Sequence, residues 1–177
     1  WTVLVYMAAD NNLGKDTGLN YAERDLNELE EVGSTDEVNI LVQADLYREQ
    51  AKRYRIIRDN DQARVTSPPL LQLGEINTGK QEVLQDFLQW GANQYPARHY
   101  LVILWNHGTG IADEKPVPIK TRAICYDEDG GDDNQDWLTV QEVKVVLQGM
   151  SEQLGGRPVD LLITDACLMQ MAEVAVE

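Results

Sequence analysis

The stretch Tyr100-Leu-Val-Ile-Leu-Trp105, followed at once by Asn106-His-Gly-Thr-Gly110, gives the clearest indication of the fold class of this chain. A near-continuous run of aliphatic residues is typical of a strand that is buried on both faces of a sheet. The asparagine and glycines after it predict a turn at the carboxyl end of that strand. Residues 3–8, 38–44 and 159–163 have the same character. Four such strands predict a mostly parallel sheet.

Amphipathic helices are predicted between these strands. Residues 21–32 carry apolar side chains at helical spacing, and Gly33 directly after them is expected to end the helix. Residues 83–91 repeat the pattern, and residues 138–150 predict a third helix. Helices that alternate with buried strands cover both faces of the sheet. The sequence therefore predicts an α/β fold with three layers, in which the sheet lies between two layers of helices.

Two local features refine this prediction. Residues 54–58 and 63–66, joined by the polar turn 59–62, predict a hairpin at an edge of the sheet. Thr139, with Glu142 three residues later, predicts a capping box at the start of the third helix.

Composition excludes several classes of function. The chain has 177 residues, with 15 Lys and Arg against 30 Asp and Glu, and its net charge of −15 would repel phosphate backbones and anionic lipid. We therefore expect no nucleic-acid partner, and a basic partner fits better. No apolar run approaches the length of roughly 18 to 20 residues that a membrane-spanning helix needs. Two cysteines cannot build a disulfide framework and are interpreted as individual thiols.

The carboxyl ends of the predicted strands carry the polar residues of interest. In open parallel sheets ligands bind outside the carboxyl ends of the strands. These ends read Asp10-Asn-Asn12, Asp45, Asn106-His107-Gly108 and Thr164-Asp165-Ala-Cys167. If the strands are parallel, one edge of the sheet brings together a histidine, a cysteine and several acids.

Cys167 and His107 are the candidates for chemistry at this edge. Buried packing is the usual role of a cysteine, and a turn histidine often only satisfies local hydrogen bonds. Against that, Cys167 is predicted to precede a helix, whose N-terminal dipole would lower the pKa of the thiol. A histidine on a neighbouring strand end favours a pair that combines a nucleophile with a proton donor. Cys125 is predicted to lie in the core and His99 on the surface.

Two other motifs have simpler interpretations. Residues 74–81 nearly match a phosphate-binding loop, but Gln81 stands where a magnesium-binding hydroxyl is required. Thr78 with Gln81 is better explained as a capping box that opens the second helix. The acidic stretch 127–136 lacks the calcium-loop pattern of glycine and glutamate, so a solvated loop is expected and a calcium site is the alternative.

Four segments together resemble the clostripain family of cysteine peptidases, which belong to the caspase-like clan. They are residues 1–13, 105–110, 123–128 and 164–169, and they occur in the family's order along nearly the whole chain. The resemblance implies a caspase-like three-layer α/β/α sandwich with a mostly parallel central sheet and an edge hairpin. It also implies that residues 1–177 are a catalytic core whose C-terminal part lies further along the polypeptide.

The resemblance implies a cysteine endopeptidase that cleaves polypeptides after Arg or Lys. Cys167 would be the nucleophile, and His107 would protonate the leaving amine. The backbone N–H groups of Gly108 and Cys167 would form the oxyanion hole, and Asp165 would be the acid of the S1 pocket. Its position before the predicted helix also fits an N-cap, and the two roles can coexist. The family implies no certain cofactor and no assigned metal ligand, although calcium remains an alternative.

Members of this family are made as zymogens that cut themselves between the catalytic His and Cys. Arg122 before Ala123 is the favoured cleavage site here, and Lys120 is the weaker candidate. Lys115 precedes a proline and Lys144 falls in a predicted helix, so both are disfavoured. The implied partners are peptides with Arg or Lys and the chain's own downstream segment, and the implied location is secreted, periplasmic or on the cell surface.

Two alternatives from other classes stay open at this point. The same fold could serve as a non-catalytic binding module. A receiver-like α/β module could instead use Asp10 and Asp45 at two strand ends to hold magnesium. Neither alternative needs His107 to lie near Cys167.

Overall fold

The computed structural model describes residues 1–15, 20–109, 123–128, 135–167, 169–170 and 172–175. Its strands and helices follow one another along the chain as β1 (Thr2–Ala9), α1 (Tyr21–Val32), β2 (Asn39–Leu46), β3 (Ala51–Arg55), β4 (Pro69–Gly74), α2 (Gln81–Gln94), β5 (Tyr100–Trp105), β6 (Ala123–Asp127), β7 (Asp136–Thr139), α3 (Val140–Gln153), β8 (Leu161–Asp165) and α4 (Ala172–Ala175).

The main sheet has six strands in the order β4-β3-β2-β1-β5-β8. Strands β2, β1, β5 and β8 run parallel, whereas β3 and β4 are antiparallel at one edge. Strand β1 lies at the centre, where Val5 pairs with Val42 on one side and Ile103 on the other. The four predicted strands and their parallel arrangement are confirmed, and β6 with β7 forms a separate antiparallel pair.

Helices cover both faces of the sheet, as predicted. Alternate residues of β1 face opposite layers, because successive side chains of a strand point to opposite sides. Leu4 and Tyr6 pack in a cluster with residues of α2 and α3. Val5 and Met7 pack in a second cluster with residues of α1. The α/β/α sandwich is therefore confirmed.

Two of the three helix-end signals predicted from the sequence are confirmed. Gly33 ends α1 with φ of 67°, and any side chain there would collide with the backbone of Arg58. The capping box of Thr139 and Glu142 at the start of α3 is confirmed. The capping box predicted at Thr78 is wrong, because α2 begins at Gln81 after Lys80 with no side-chain cap.

The edge hairpin exists, but both strands differ from the prediction, since β3 covers Ala51–Arg55 where residues 54–58 were expected. Strand β3 pairs with β4, whereas residues 63–66 form no strand. The buried carboxylate of Glu30 on α1 accepts hydrogen bonds from the backbone N–H groups of Thr66 and Ser67. Hydrogen bonds to the Glu30 side chain therefore fix the backbone of residues 66–67, instead of the cross-strand pairing that was expected.

Strand β8 forms the other edge of the sheet among the described residues, and it carries exposed apolar side chains. Leu161, Leu162 and Ile163 are 52%, 43% and 43% exposed, which is high for consecutive aliphatic residues. None of the helices in the described part of the chain is both long enough and apolar enough to cross a lipid bilayer.

Candidate active site

The ends of β5 and β8 bring the predicted histidine and cysteine segments side by side. Trp105, the last residue of β5, pairs with Asp165, the last residue of β8. The backbone N–H of Asn106 then donates to the Asp165 carbonyl at 3.3 Å. His107 comes two residues after Trp105, and Cys167 comes two residues after Asp165. Both therefore lie at the carboxyl ends of neighbouring parallel strands, as the sequence predicted.

Gly108 shows how closely the two segments approach. A Cβ atom at this position would lie 2.5 Å from the backbone oxygen of Cys167 and 2.5 Å from Cγ of Met169. Real Cβ atoms do not come this close to other atoms, so only glycine fits between the loop after β5 and the turn after β8. The loop that carries His107 is therefore in direct contact with the backbone of Cys167.

His107 is half-buried and makes a side-chain contact that spacing along the chain could not reveal. Its Nε2 atom lies 2.9 Å from the side-chain oxygen Oδ1 of Asn12, which follows β1. The His107 backbone N–H donates to the side chain of Asn106. The histidine is thus held through its ring and its main chain by asparagines from two different strand ends.

Two buried asparagines hold these loops against each other. The Nδ2 group of Asn11 donates to the Ala8 carbonyl at 3.1 Å and to the Tyr126 carbonyl at 2.7 Å. The Nδ2 group of Asn106 donates to the same two carbonyls. Sequence reasoning placed both residues at strand ends but missed this role, because it depends on the position of β6.

Cys167 is exposed, whereas the second thiol, Cys125, is buried. Complete burial raises the pKa of the Cys125 thiol far above its usual value, so this cysteine is the core residue that was predicted. The expected helix directly after Cys167 is wrong, because α4 begins only at Ala172 and residues 169–170 are not helical. None of the described helices begins at Cys167, so the helix-dipole argument for this residue loses its basis.

Asp165 is exposed at the end of β8, and its predicted alternative as a helix N-cap fails for the same reason. A second acid lies near it on α1. Asp25 accepts a hydrogen bond from Trp105 Nε1 at 2.7 Å, and its pKa is raised by partial burial and by the negative charges of Glu28 and Asp165. This end of the sheet is therefore an acidic region beside the cysteine turn.

Residues 5–177 match the sequence model of a known protein family, which is described as the Clostripain family. This match spans nearly the whole chain. The chain belongs to the Clostripain family. The expectation drawn from the four sequence segments is therefore confirmed at the level of the family.

Relatives support this assignment. A 103-residue part of the chain is 42% identical to clostripain of Hathewaya histolytica. This match covers 57% of the chain and 18% of that protein. A secreted C11 cysteine protease from Bacteroides thetaiotaomicron, solved with an irreversible peptide inhibitor, is 28% identical with a TM-score of 0.74. An inactive zymogen C11 protease from Parabacteroides distasonis, 23% identical with a TM-score of 0.60, shares the fold. Both solved structures match over 98% of this chain, which spans 44% of each.

The predicted self-cleavage site of this Clostripain-family chain is described only in part. Arg122 and Lys120 lie outside the described residues, whereas Ala123 begins β6. The Ala123 backbone N–H donates to Thr109 Oγ1 at 3.2 Å, and its carbonyl accepts from the Thr109 N–H at 3.2 Å. The residue after the predicted cleavage point is thus fixed to the loop that carries His107.

The acids of the stretch 127–136 that the structure describes are engaged with protein groups. Asp127 accepts hydrogen bonds from the N–H and hydroxyl of Thr78, and Asp136 accepts one from Asn77. Glu128 pairs with Lys15. Residues 129–134 lie outside the described part, so the calcium alternative stays a prediction. Within the described segments, no group of three or more His, Cys, Asp or Glu side chains is arranged to hold a metal ion.

The receiver-like alternative receives no support from the acids at the ends of β1 and β2. Asp45 is fully buried, and neither of its carboxylate oxygens has a hydrogen-bond partner. Burial, together with the charges of Asp127, Glu75 and Asp10, raises the pKa of Asp45 to about 9. Asp45 is thus a buried core carboxyl, and the described residues hold no group of three or more His, Cys, Asp or Glu side chains that could bind a metal ion.

Proposed function

We propose that this chain carries the catalytic core of a cysteine endopeptidase that cleaves polypeptides after Arg or Lys. The observation that carries the proposal is the exposed Cys167, whose backbone contacts Gly108 in the loop that holds His107. Membership of the Clostripain family agrees with it. A non-catalytic binding module would not need an accessible thiol beside a histidine loop.

The proposed reaction has two steps. In the first, the Cys167 sulfur forms a bond with the scissile carbonyl carbon, the carbon–nitrogen bond breaks, and His107 gives a proton to the leaving amine. In the second, water attacks the thioester carbon and passes one proton to His107, the carbon–sulfur bond breaks to release the Cys167 sulfur, and the acid product leaves and gives its remaining proton to solvent. Both residues then have the protonation states with which they began.

An oxyanion hole at the backbone N–H groups of Gly108 and Cys167 would stabilise the charge on the carbonyl oxygen. Preorganised N–H donors of this kind are worth about 10² to 10³ in rate in well-studied peptidases. The close packing of Gly108 against the Cys167 backbone supports this part of the proposal, since it keeps the two main-chain segments together.

Asp165 is proposed to bind the cationic side chain of the residue before the cleaved bond. It is exposed, two residues before the nucleophile, and the nearby Asp25 adds a second negative charge. A guanidinium or ammonium group placed there would relieve repulsion between these acids.

Self-activation is proposed to occur at the bond between Arg122 and Ala123. The two hydrogen bonds between Ala123 and Thr109 support it, because they fix the main chain beyond the cleaved bond only two residues from His107. One of the relatives was solved as an inactive zymogen.

The core is proposed to be completed by a downstream segment of the natural polypeptide, and the protein is proposed to act outside the cytoplasm. The length of the solved relatives and the open apolar edge of β8 support the first part. A relative described as secreted supports the second.

The test uses a peptide that ends in arginine and carries an irreversible thiol-reactive group. We expect it to label Cys167 in the full natural polypeptide and to leave the buried Cys125 unlabelled, as located by mass spectrometry. The Cys167→Ala variant should lose labelling, cleavage of an Arg reporter and formation of the new N-terminus at Ala123. Normal turnover by this variant would refute the assignment, and a new N-terminus at Thr121 would move the self-cleavage site to Lys120.

A further inference from the structure

The contact between His107 and Asn12 has no role in the mechanism described so far. We propose that Asn12 is a positioning residue that holds the His107 ring in its working orientation and fixes its proton on Nε2. The proposal rests on the proposed peptidase function. It is carried by the distance of 2.9 Å between His107 Nε2 and Asn12 Oδ1.

The backbone on either side of Asn12 is fixed, although its side chain is exposed. The side-chain oxygen of Asn11 accepts a hydrogen bond from the Leu13 N–H at 2.9 Å, and the Asn11 carbonyl accepts one from the Gly14 N–H at 3.2 Å. These bonds form a tight turn directly after β1. Asn12 lies at its tip, where the turn fixes the direction of its Cα–Cβ bond.

The position of His107 relative to this turn is fixed by the same two carbonyl groups. Asn11 and Asn106 both donate to Ala8 and Tyr126, and each immediately precedes one member of the contact pair. The two loops are therefore held by a shared anchor and not only by the contact itself. Because the two backbones are already anchored together, the contact costs only the rotamer freedom of its two side chains, which favours an orienting role.

The chemistry of the pair suits a histidine that must change its charge. An amide oxygen only accepts hydrogen bonds, so it keeps a proton on Nε2 and leaves Nδ1 as the atom that exchanges a proton with the reaction. Because the amide is neutral, it orients the ring without strongly favouring the cation. A carboxylate would orient the ring equally well but would hold the proton more firmly.

The experiment compares Asn12→Ala, Asn12→Asp and a control, Asn60→Ala, in the full natural polypeptide. Asn60 is exposed in a loop of another region. With an Arg reporter, Asn12→Ala should lower kcat about 10- to 100-fold while KM changes less than about twofold. The midpoint of thermal unfolding should not change, because the side chain is exposed.

Asn12→Asp provides a readout that a merely structural role would not move. It keeps the acceptor and adds a charge, so kcat should recover to within about tenfold of the natural protein. The alkaline limb of the kcat profile should move up by about one pH unit, since the protonated ring is stabilised. Asn60→Ala should match the natural protein throughout.

Two results would overturn the role of Asn12: an unchanged kcat in Asn12→Ala, or an Asn12→Asp variant with no recovery of kcat and no shift of its pH profile. A natural protein that neither cleaves the reporter nor is labelled at Cys167 would refute the proposed function itself. Activity and labelling of the natural protein therefore distinguish the two failures.

Discussion

Single side chains at the strand ends determine the geometry of this site more than the strands themselves do. Parallel pairing brings the segments of His107 and Cys167 to one edge, but it does not orient an imidazole. Orientation comes from amide groups, namely Asn12 on the ring and Asn106 on the backbone. The residue types at the edge were visible in the sequence. Their pairing was not, because Asn12 and His107 are separated by 95 positions.

The proposed preference for Arg and Lys depends most directly on Asp165. Asp165→Asn should lower kcat/KM for Arg and Lys reporters by about tenfold or more, because the substrate cation loses its charged acceptor. Reporters with a neutral residue at that position should be cleaved no worse. A matched control is Asp160→Asn, which removes an acid at the opposite end of β8 that bonds His99 and the Tyr100 N–H. Equal kcat/KM for Arg reporters before and after the change at Asp165 would exclude it from the pocket.

At the scale of elements, repeating patterns predicted well, whereas single local signals succeeded at Gly33 and Thr139 and failed at Thr78 and in the hairpin. The strands β1, β2, β5 and β8 and the helix faces follow from apolar spacing, because burial acts on every residue of the run. The cap at Thr78 failed because its hydroxyl and N–H bind Asp127, which lies 49 positions away. The return strand failed because Glu30 binds the backbone of residues 66–67. Both errors have one physical cause: a buried carboxylate from a distant element took the groups that local structure would have used.

Asp45, at the end of β2, gives a prediction about the stability of these elements. Its pKa is near 4 when unfolded but about 9 in the fold, so between these values only the unfolded state loses the proton. The contribution of Asp45 to stability should therefore be greatest below pH 4 and should fall as pH rises, by up to about 1.4 kcal/mol per pH unit, levelling off above pH 9.

Asp45→Asn should remove this part of the slope, because the amide does not ionise. The measurement is denaturant unfolding of the natural protein, Asp45→Asn and the exposed control Asp36→Asn at several values between pH 5 and 8.5. Parallel curves for the natural protein and Asp45→Asn would contradict the shifted pKa.

At the scale of the whole molecule, the two edges of the sheet are built differently. One edge is β4, which pairs with β3 in an antiparallel hairpin, whereas the other edge is the parallel strand β8, and neither has an outer neighbour among the described strands. An apolar groove of about 820 Å³ lies next to β8, and Leu147, Leu162 and Val174 are among the residues that line it. Open edges of this kind are normally covered, because they invite pairing with other chains. The proposed downstream segment would cover both the edge and the groove.

Hydrogen exchange can test whether such a segment covers β8. In the full natural polypeptide, the amides of residues 161–165 should exchange slowly, because a covered strand opens only with the surrounding fold. In residues 1–177 alone, the same amides should exchange at least about tenfold faster, while those of the central strand β1 stay protected in both. Protection of β1 shows that the shorter chain is folded, so the comparison at β8 remains meaningful. Equal exchange at β8 in the two proteins, with β1 protected in both, would mean that nothing downstream covers this edge.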